Sequence, residues 1–265
     1  MNATPKFSCL LLAADREGLN PVAQSAGVPA KSLILLQGKP MLVRVLETLR
    51  RCPSIERCLL LGPTWEILAD HPIASLLNFP WLEWVPPQSS PSLSALAGLS
   101  RISGNRPVLL TTADIAFPAV QIFEDFCRQA SACGGDVAVG LIPYSKVAAR
   151  FPGIRRTILK FADGPFCTCN LFAFFTPDGR RLVEFWCRLE QERKRPWRLI
   201  RVLGALTLLR YLLGRLSTYE ISRQVERKLK LKVNFVVLPY PEAAVDVDTE
   251  DDLRLVRKML EPDAT

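Results

Sequence analysis

Phe7-Ser8-Cys9-Leu10-Leu11-Leu12-Ala13-Ala14-Asp15-Arg16 is an apolar run that stops abruptly at small and charged residues. Its continuous apolar character is that of a parallel strand buried on both faces, here over residues 8–14. Residues 15–32 are rich in Gly, Pro, Asn, Gln and Ser and contain Lys31, so they read as a loop at the carboxyl end of that strand. In an open α/β sheet that edge is where ligands bind.

Working outward, Gly38-Lys39-Pro40 turns the chain, with residues 33–37 extended before it. Met41, Leu42, Val45, Leu46 and Leu49 then recur at spacings of three and four, the mark of an amphipathic helix. Ile55 to Gly62 reads as a second strand, which completes a βαβ unit. A short helix near Trp65, a strand over Trp81 to Val85 and a helix capped by Ser92 follow. Pro107 to Thr112 is another strand, ending at Ala113-Asp114, and Pro118 opens the next helix. Alternation of this kind predicts a three-layer, mostly parallel sheet.

The later part is less regular. Asp136 to Ile142 is a strand, and residues 155–161 and 170–175 bracket the turn signal Ala162-Asp163-Gly164-Pro165, suggesting a strand and loop crossing the sheet edge. Leu182, Val183, Trp186 and Leu189 fit one helix, a second pattern begins at Pro196, and a third helix covers about 218–230. Val233 to Leu238 is the last strand, and Thr249 caps a terminal helix. The whole of 1–265 reads as one domain, with 180–232 as a basic helical insertion.

Charge is uneven. Residues 180–232 hold fifteen Lys or Arg against five Asp or Glu, which leaves the remainder of the +8 chain slightly acidic. Three readings of this insertion stay open: a helical cover on the sheet, a wall that gathers an anionic acceptor, and a peripheral membrane surface. Nucleic-acid binding is not expected, because no recognised module is present. The eight cysteines are dispersed and most of them read as buried thiols of a reducing compartment, so a cytoplasmic location is expected. Cys167-Thr168-Cys169 lacks a second clustered ligand pair for zinc. His71 is the single histidine, and no Walker-type loop, dinucleotide fingerprint or nucleophile elbow is present.

Asp114, just past a buried strand, faces the ligand crevice and suits Mg²⁺, a hard cation that keeps water and phosphate ligands. Asp246 and Asp248 alternate along an extended segment, so both face one side while Val247 faces the other. Either is a candidate second ligand, against the alternative of capping the last helix. Arg16 and Lys31 flank the first loop and are placed to hold a triphosphate.

These residues carry a family likeness. The string LLAAD…AKSLILLQGKPMLVRVLETL resembles the opening of MobA-like nucleotidyltransferases, which have a GT-A-type fold. LLTTADIAF, CNLFAF and VDVDTEDDL resemble later motifs of the same family, in the same order. The resemblance implies transfer of a nucleotidyl group from an NTP to a phosphorylated small molecule, with Mg²⁺ and release of pyrophosphate. It implies phosphate contact by Lys31, Mg²⁺ ligation by Asp114 and Asp248 with Asp246 as helper, and Asn170 near the acceptor or ribose. It also places Ala13 and Ala14 against the nucleotide, their amides near base or phosphates, and the segment from Ser92 near the base. One departure stands out: Asp15 occupies a position that is glycine in the family. Asp15 is expected to bind Mg²⁺ or to pair with Arg16. Two rival readings are a GT-A-like glycosyltransferase using an NDP-sugar and a non-catalytic nucleotide-binding relative. Lys31 and the VDVDT ending favour nucleotidyl transfer over the first, while Asp15 favours the second.

Overall fold

Every residue of β1 (Phe7–Leu12) is buried, because the strand sits in the middle of an eight-stranded sheet. It pairs in parallel with β4 (Ile55–Leu61) on one side and with β6 (Val108–Thr112) on the other. In this computed structural model residues 4–15, 20–69, 71–191 and 205–261 are described. Outside β4 lies β5 (Leu82–Val85), also parallel. From β5 the chain returns across β1 to form β6. The strand order therefore reverses at β1, which opens a crevice beyond the carboxyl ends of β1 and β6.

Beyond β6 the sheet becomes mixed. The eleven-residue β9 (Gly164–Phe174) is antiparallel to β6 and also to β7 (Val137–Pro143). β10 (Val233–Val237) runs parallel to β7 at the edge, and β8 (Ile158–Phe161) hairpins onto β9. The segment expected to cross the sheet edge is thus interior. It pairs with strands some 30 and 60 positions earlier, and local turn chemistry carries no record of such pairing.

Side-chain alternation along β1 feeds two layers. Phe7, Cys9 and Leu11 pack with α2 (Met41–Arg50), α5 (Val120–Cys133) and α10 (Glu250–Leu260). Leu10 and Leu12 face α4 (Pro91–Ser100), α7 (Pro177–Gln191) and α9 (Thr218–Leu229). α1 (Pro21–Ser25), α3 (Trp65–Ala69), α6 (Tyr144–Arg150) and α8 (Ala205–Leu212) are short. The small antiparallel pair β2 (Leu35–Leu36) and β3 (Lys39–Pro40) turns at Gln37-Gly38, both at positive φ. Lys39 there is exposed and paired with Glu47. The first half of the helix expected from Pro196 lies outside the described residues. Among those residues, no helix is long and apolar enough to cross a membrane.

Two helix starts differ from expectation. Ser90, not Ser92, caps α4, accepting from the Leu93 amide, because Pro91 fills the first helical position and needs no amide partner. α5 begins at Val120 rather than at Pro118. Thr249 caps α10 as expected, in a reciprocal arrangement with Asp252.

Gly62 ends β4 with φ +89°, and a Cβ there would lie 2.6 Å from the Ala14 side chain. Close approach of the two strand ends sets the crevice floor. Gly62→Ala is expected to cost about 2 kcal/mol or more in folding stability, read as a lowered urea midpoint; an unchanged midpoint would contradict this packing.

Candidate active site

A cavity of about 850 Å³ opens at the strand-order reversal. Its polar end is built from segments far apart in sequence. Asp114 follows β6, and the backbone of residues 114–116 zips against 245–247. The Val247 amide donates to the Asp114 carbonyl at 3.1 Å and the Ala116 amide to the Val245 carbonyl at 3.0 Å. Val247 is buried, so alternation turns Asp246 and Asp248 the opposite way, toward the cavity.

Lys31 completes the cluster. Its Nζ lies 2.7 Å from Asp114 Oδ2 and 2.9 Å from Asp248 Oδ1. Burial works against the ammonium, but the two carboxylates outweigh it and raise the Lys31 pKa. Asp114 is pushed up by burial, but the Lys31 charge and hydrogen bond, with smaller help from Thr112 and its own backbone, hold it below the ordinary carboxylate value. Asp246 carries the opposite balance: burial and then the Asp114 charge push it up to about 6, against Arg156. Arg156 Nη1 lies 2.6 Å from Asp246 Oδ1, and Arg156 Nη2 lies 3.6 Å from Asp252 Oδ1. Asn170 Nδ2 donates to Asp246 Oδ2 at 3.0 Å.

Asn170 reaches this position through a bulge. The register between β7 and β9 shifts between Val139 and Leu141, and Asn170 has φ +51°. Gly140 makes room, since a Cβ there would lie 2.5 Å from the Cys169 sulfur.

Asp15 ties the described ends of the first loop together. Asp15 Oδ2 accepts the Lys31 backbone amide at 2.8 Å, and Asp15 Oδ1 accepts from Asn20 Nδ2 at 3.4 Å. Asp15 is therefore a strut that ties the two ends of the long loop and aims Lys31. Burial raises its pKa, opposed by Lys31. Arg16, and with it any pairing to Asp15, lies outside the described residues. Ala13 and Ala14 line the cavity, but both of their amides donate to the Leu61 carbonyl, at 3.0 and 3.2 Å. The amides expected near base or phosphate are already engaged.

Ser92 is fully buried beneath the cavity wall, where its hydroxyl donates to Glu190 of α7; Gln88, Ser90 and Ser94 line the cavity instead. Arg156 was not visible as a site residue in the sequence, because residues 151–157 carry no motif or periodicity around it.

The donor set fits a hard divalent cation. Asp114 Oδ1 is buried with no hydrogen-bond partner among the described residues. Three crowded carboxylates face two partly buried cations, Lys31 and Arg156, which leaves negative charge to spare. No group of three His, Cys, Asp or Glu side chains close enough to form a complete metal cage is present among the described residues. Mg²⁺ is commonly held by one or two carboxylates plus water and substrate phosphates, so a full cage is not required.

The charge balance sets a pH dependence. Below about pH 6 the folded protein takes up a proton at Asp246, whereas the unfolded chain does so near the ordinary value of about 4. This group's contribution to stability therefore grows as pH falls through that window. In Asp114→Asn, the neighbouring charge is gone and Asp246 is expected to titrate lower than in the parent, as followed by ¹³C carboxyl NMR. An Asp246 titration unmoved by the substitution would contradict the electrostatic coupling.

Comparison with known proteins agrees with this fold. The MobA-like NTP transferase domain model matches residues 12–151. A hypothetical transferase from Thermus thermophilus is similar at 28% identity over 94% of this chain and 99% of its own, with a TM-score of 0.77. The 4-diphosphocytidyl-2C-methyl-D-erythritol synthase of Anaerococcus prevotii shares the fold at 16% identity over 98% and 97% of the two chains, with a TM-score of 0.57. A CMP:2-keto-3-deoxy-manno-octonic acid synthetase shares it at 11% identity over 96% and 98%, with a TM-score of 0.58. No curated protein matches. The domain match, which begins at the last residue of β1 and takes in the Lys31 loop and Asp114, shows that this chain belongs to the MobA-like NTP transferase domain family.

Proposed function

We propose that this chain catalyses Mg²⁺-dependent transfer of a nucleotidyl group from an NTP to a phosphorylated small-molecule acceptor, with release of pyrophosphate. One observation carries the reading: Lys31, Asp114 and Asp248, drawn from three distant segments, meet at one rim of the sheet. Neither a lysine nor a pair of carboxylates is needed there by the fold, since β1 and β6 end before them.

In this reading Asp114 and Asp248 hold the metal, with Asp246 behind them. When bound, magnesium neutralises phosphate charge and stabilises the charge developing at the α-phosphorus. In its absence the Lys31 ammonium keeps the two carboxylates together. With nucleotide present, Lys31 directs its charge to the phosphate oxygens instead. Arg16, on the same loop in sequence, is a second candidate for that task. Asn170 and Arg156 fix the Asp246 carboxylate, and Asn170 offers its amide to the acceptor or ribose. Ala13 and Ala14 pack against the nucleotide through their side chains.

An oxygen of the acceptor phosphate attacks the α-phosphorus, a new P–O bond forms, and the bond from the α-phosphorus to the bridging oxygen breaks. The electron pair leaves with pyrophosphate. The acceptor oxygen is already ionised, so no general base is required, and the protein acts by position and charge.

A pyrophosphate-release screen of the four NTPs with Mg²⁺ against phosphorylated metabolites tests the proposal. At least one pair is expected to turn over, and pyrophosphate rather than a nucleoside diphosphate is the expected product. Asp114→Ala and Lys31→Ala are each expected to lower turnover by about 100-fold or more, with melting temperature moved by only a few degrees. Parent-level turnover in either variant would remove that residue's assignment.

A further inference from the structure

We propose that the acceptor is a phosphate monoester of an extended apolar alcohol, whose apolar part enters a slot between the sheet and α7. The inference rests on the transfer reading of the same cavity. The cavity is continuous, with its charged end at Lys31 and Asp114 and its other end lined by Leu110, Phe172, Phe174, Leu182, Val183 and Trp186. Among these six side chains the only polar atom is the Trp186 indole nitrogen. β9 leads from one end to the other. Asn170, Phe172 and Phe174 alternate onto the cavity side, so the strand passes from an amide at the charged cluster to two phenyl rings.

Phe172, Leu182 and Trp186 are only partly buried, and the surface they leave uncovered borders a concave space. A sugar phosphate placed there would leave hydroxyls against apolar walls, which is unfavourable without hydrogen-bond partners. A nucleobase has polar edges to satisfy, and Gln88, Ser90 and Ser94 offer them elsewhere in the same cavity. The apolar end is thus matched to neither and suits a chain of methylenes or methyl-branched carbons.

The slot is built rather than incidental. At one end of α7, Arg180 donates to the Ile102 and Ser103 carbonyls, both at 2.6 Å, and to the Arg106 carbonyl at 2.9 Å. At the other end, Glu190 of α7 accepts from the hydroxyl of Ser92, at the start of α4. Gly179 sits so close to Asp136 that a Cβ would lie 2.4 Å from its carbonyl oxygen. These contacts fix the wall at both ends while its middle faces the cavity.

The test is isothermal titration of n-alkyl phosphates, ethyl to octyl, into the full chain with Mg²⁺, with NTP titrated in parallel. Affinity is expected to rise about fourfold per methylene until the slot is filled. Phe172→Ser should flatten that rise. Leu206→Ser, at a leucine 71% exposed on α8, should not. A flat series in the parent overturns the inference, as does a rise abolished by Leu206→Ser and untouched by Phe172→Ser. Should Phe172→Ser fail to fold, Leu182→Ser serves the same purpose, and the parent series decides by itself. NTP binding with a flat alkyl series overturns the slot and leaves nucleotidyl transfer standing. A rising series without NTP binding supports the slot and counts against nucleotidyl transfer.

Discussion

The contact on which the site depends is the Lys31 ammonium held between the carboxylates of Asp114 and Asp248. Like charges gathered in a partly dry crevice repel, and burial penalises each of them. The cluster tolerates this because every carboxylate has a cation or donor on at least one side. Lys31 serves Asp114 and Asp248, while Arg156 and Asn170 serve Asp246. The balance is incomplete at Asp246, whose pKa is raised first by burial and then by the neighbouring Asp114 charge, against Arg156. In the proposed reading this surplus charge is what a metal ion would neutralise, with the buried Asp114 Oδ1, which has no hydrogen-bond partner among the described residues, as one of its ligands.

The scaffold fixes this arrangement with backbone contacts rather than with the charges themselves. Short antiparallel pairing of 114–116 with 245–247 brings two carboxylate segments together. Asp15 anchors the amide of Lys31, so the long loop presents its lysine from a tied end. The bulge in β9 aims Asn170 into the same space. Each device costs local regularity near the site, while β1 keeps its pairing with both neighbours from Ser8 to Leu12. Charged groups that repel one another are therefore held by elements whose stability comes from apolar burial several residues away.

Much of this was legible in the sequence, and the exceptions share a cause. Buried parallel strands announce themselves as continuous apolar runs, so β1, β6 and the apolar stretches of β4 and β7 could be placed, and the apolar residues of the edge strand β10 were enough to mark it. The aspartates that end LLTTAD and begin VDVDT could be assigned to the crevice because strand ends set their position. Asp15 could not be understood, since its partner is an amide sixteen residues later in a loop without periodicity. The engaged amides of Ala13 and Ala14 depend on how closely β4 ends beside them, which Gly62 decides. β9 was misplaced at the edge because its neighbours are chosen by long-range pairing. Arg156 belongs to an irregular stretch, and only the fold reveals that it lies under Asp246. Within the basic segment, α7 packs on the sheet and also lines the cavity, a placement that composition does not give.

The central claim is that Asp114 and Asp248, with Lys31 between them, form the receiving end for a metal-bound triphosphate. The most direct measurement is paramagnetic broadening of ¹³C carboxylate resonances on titration with Mn²⁺ in the presence of NTP. The account predicts that Asp114 and Asp248 broaden first and together, at metal well below one equivalent, while the carboxylates of α9 remain sharp. Sharp Asp114 and Asp248 resonances at one full equivalent of bound Mn²⁺ would contradict it.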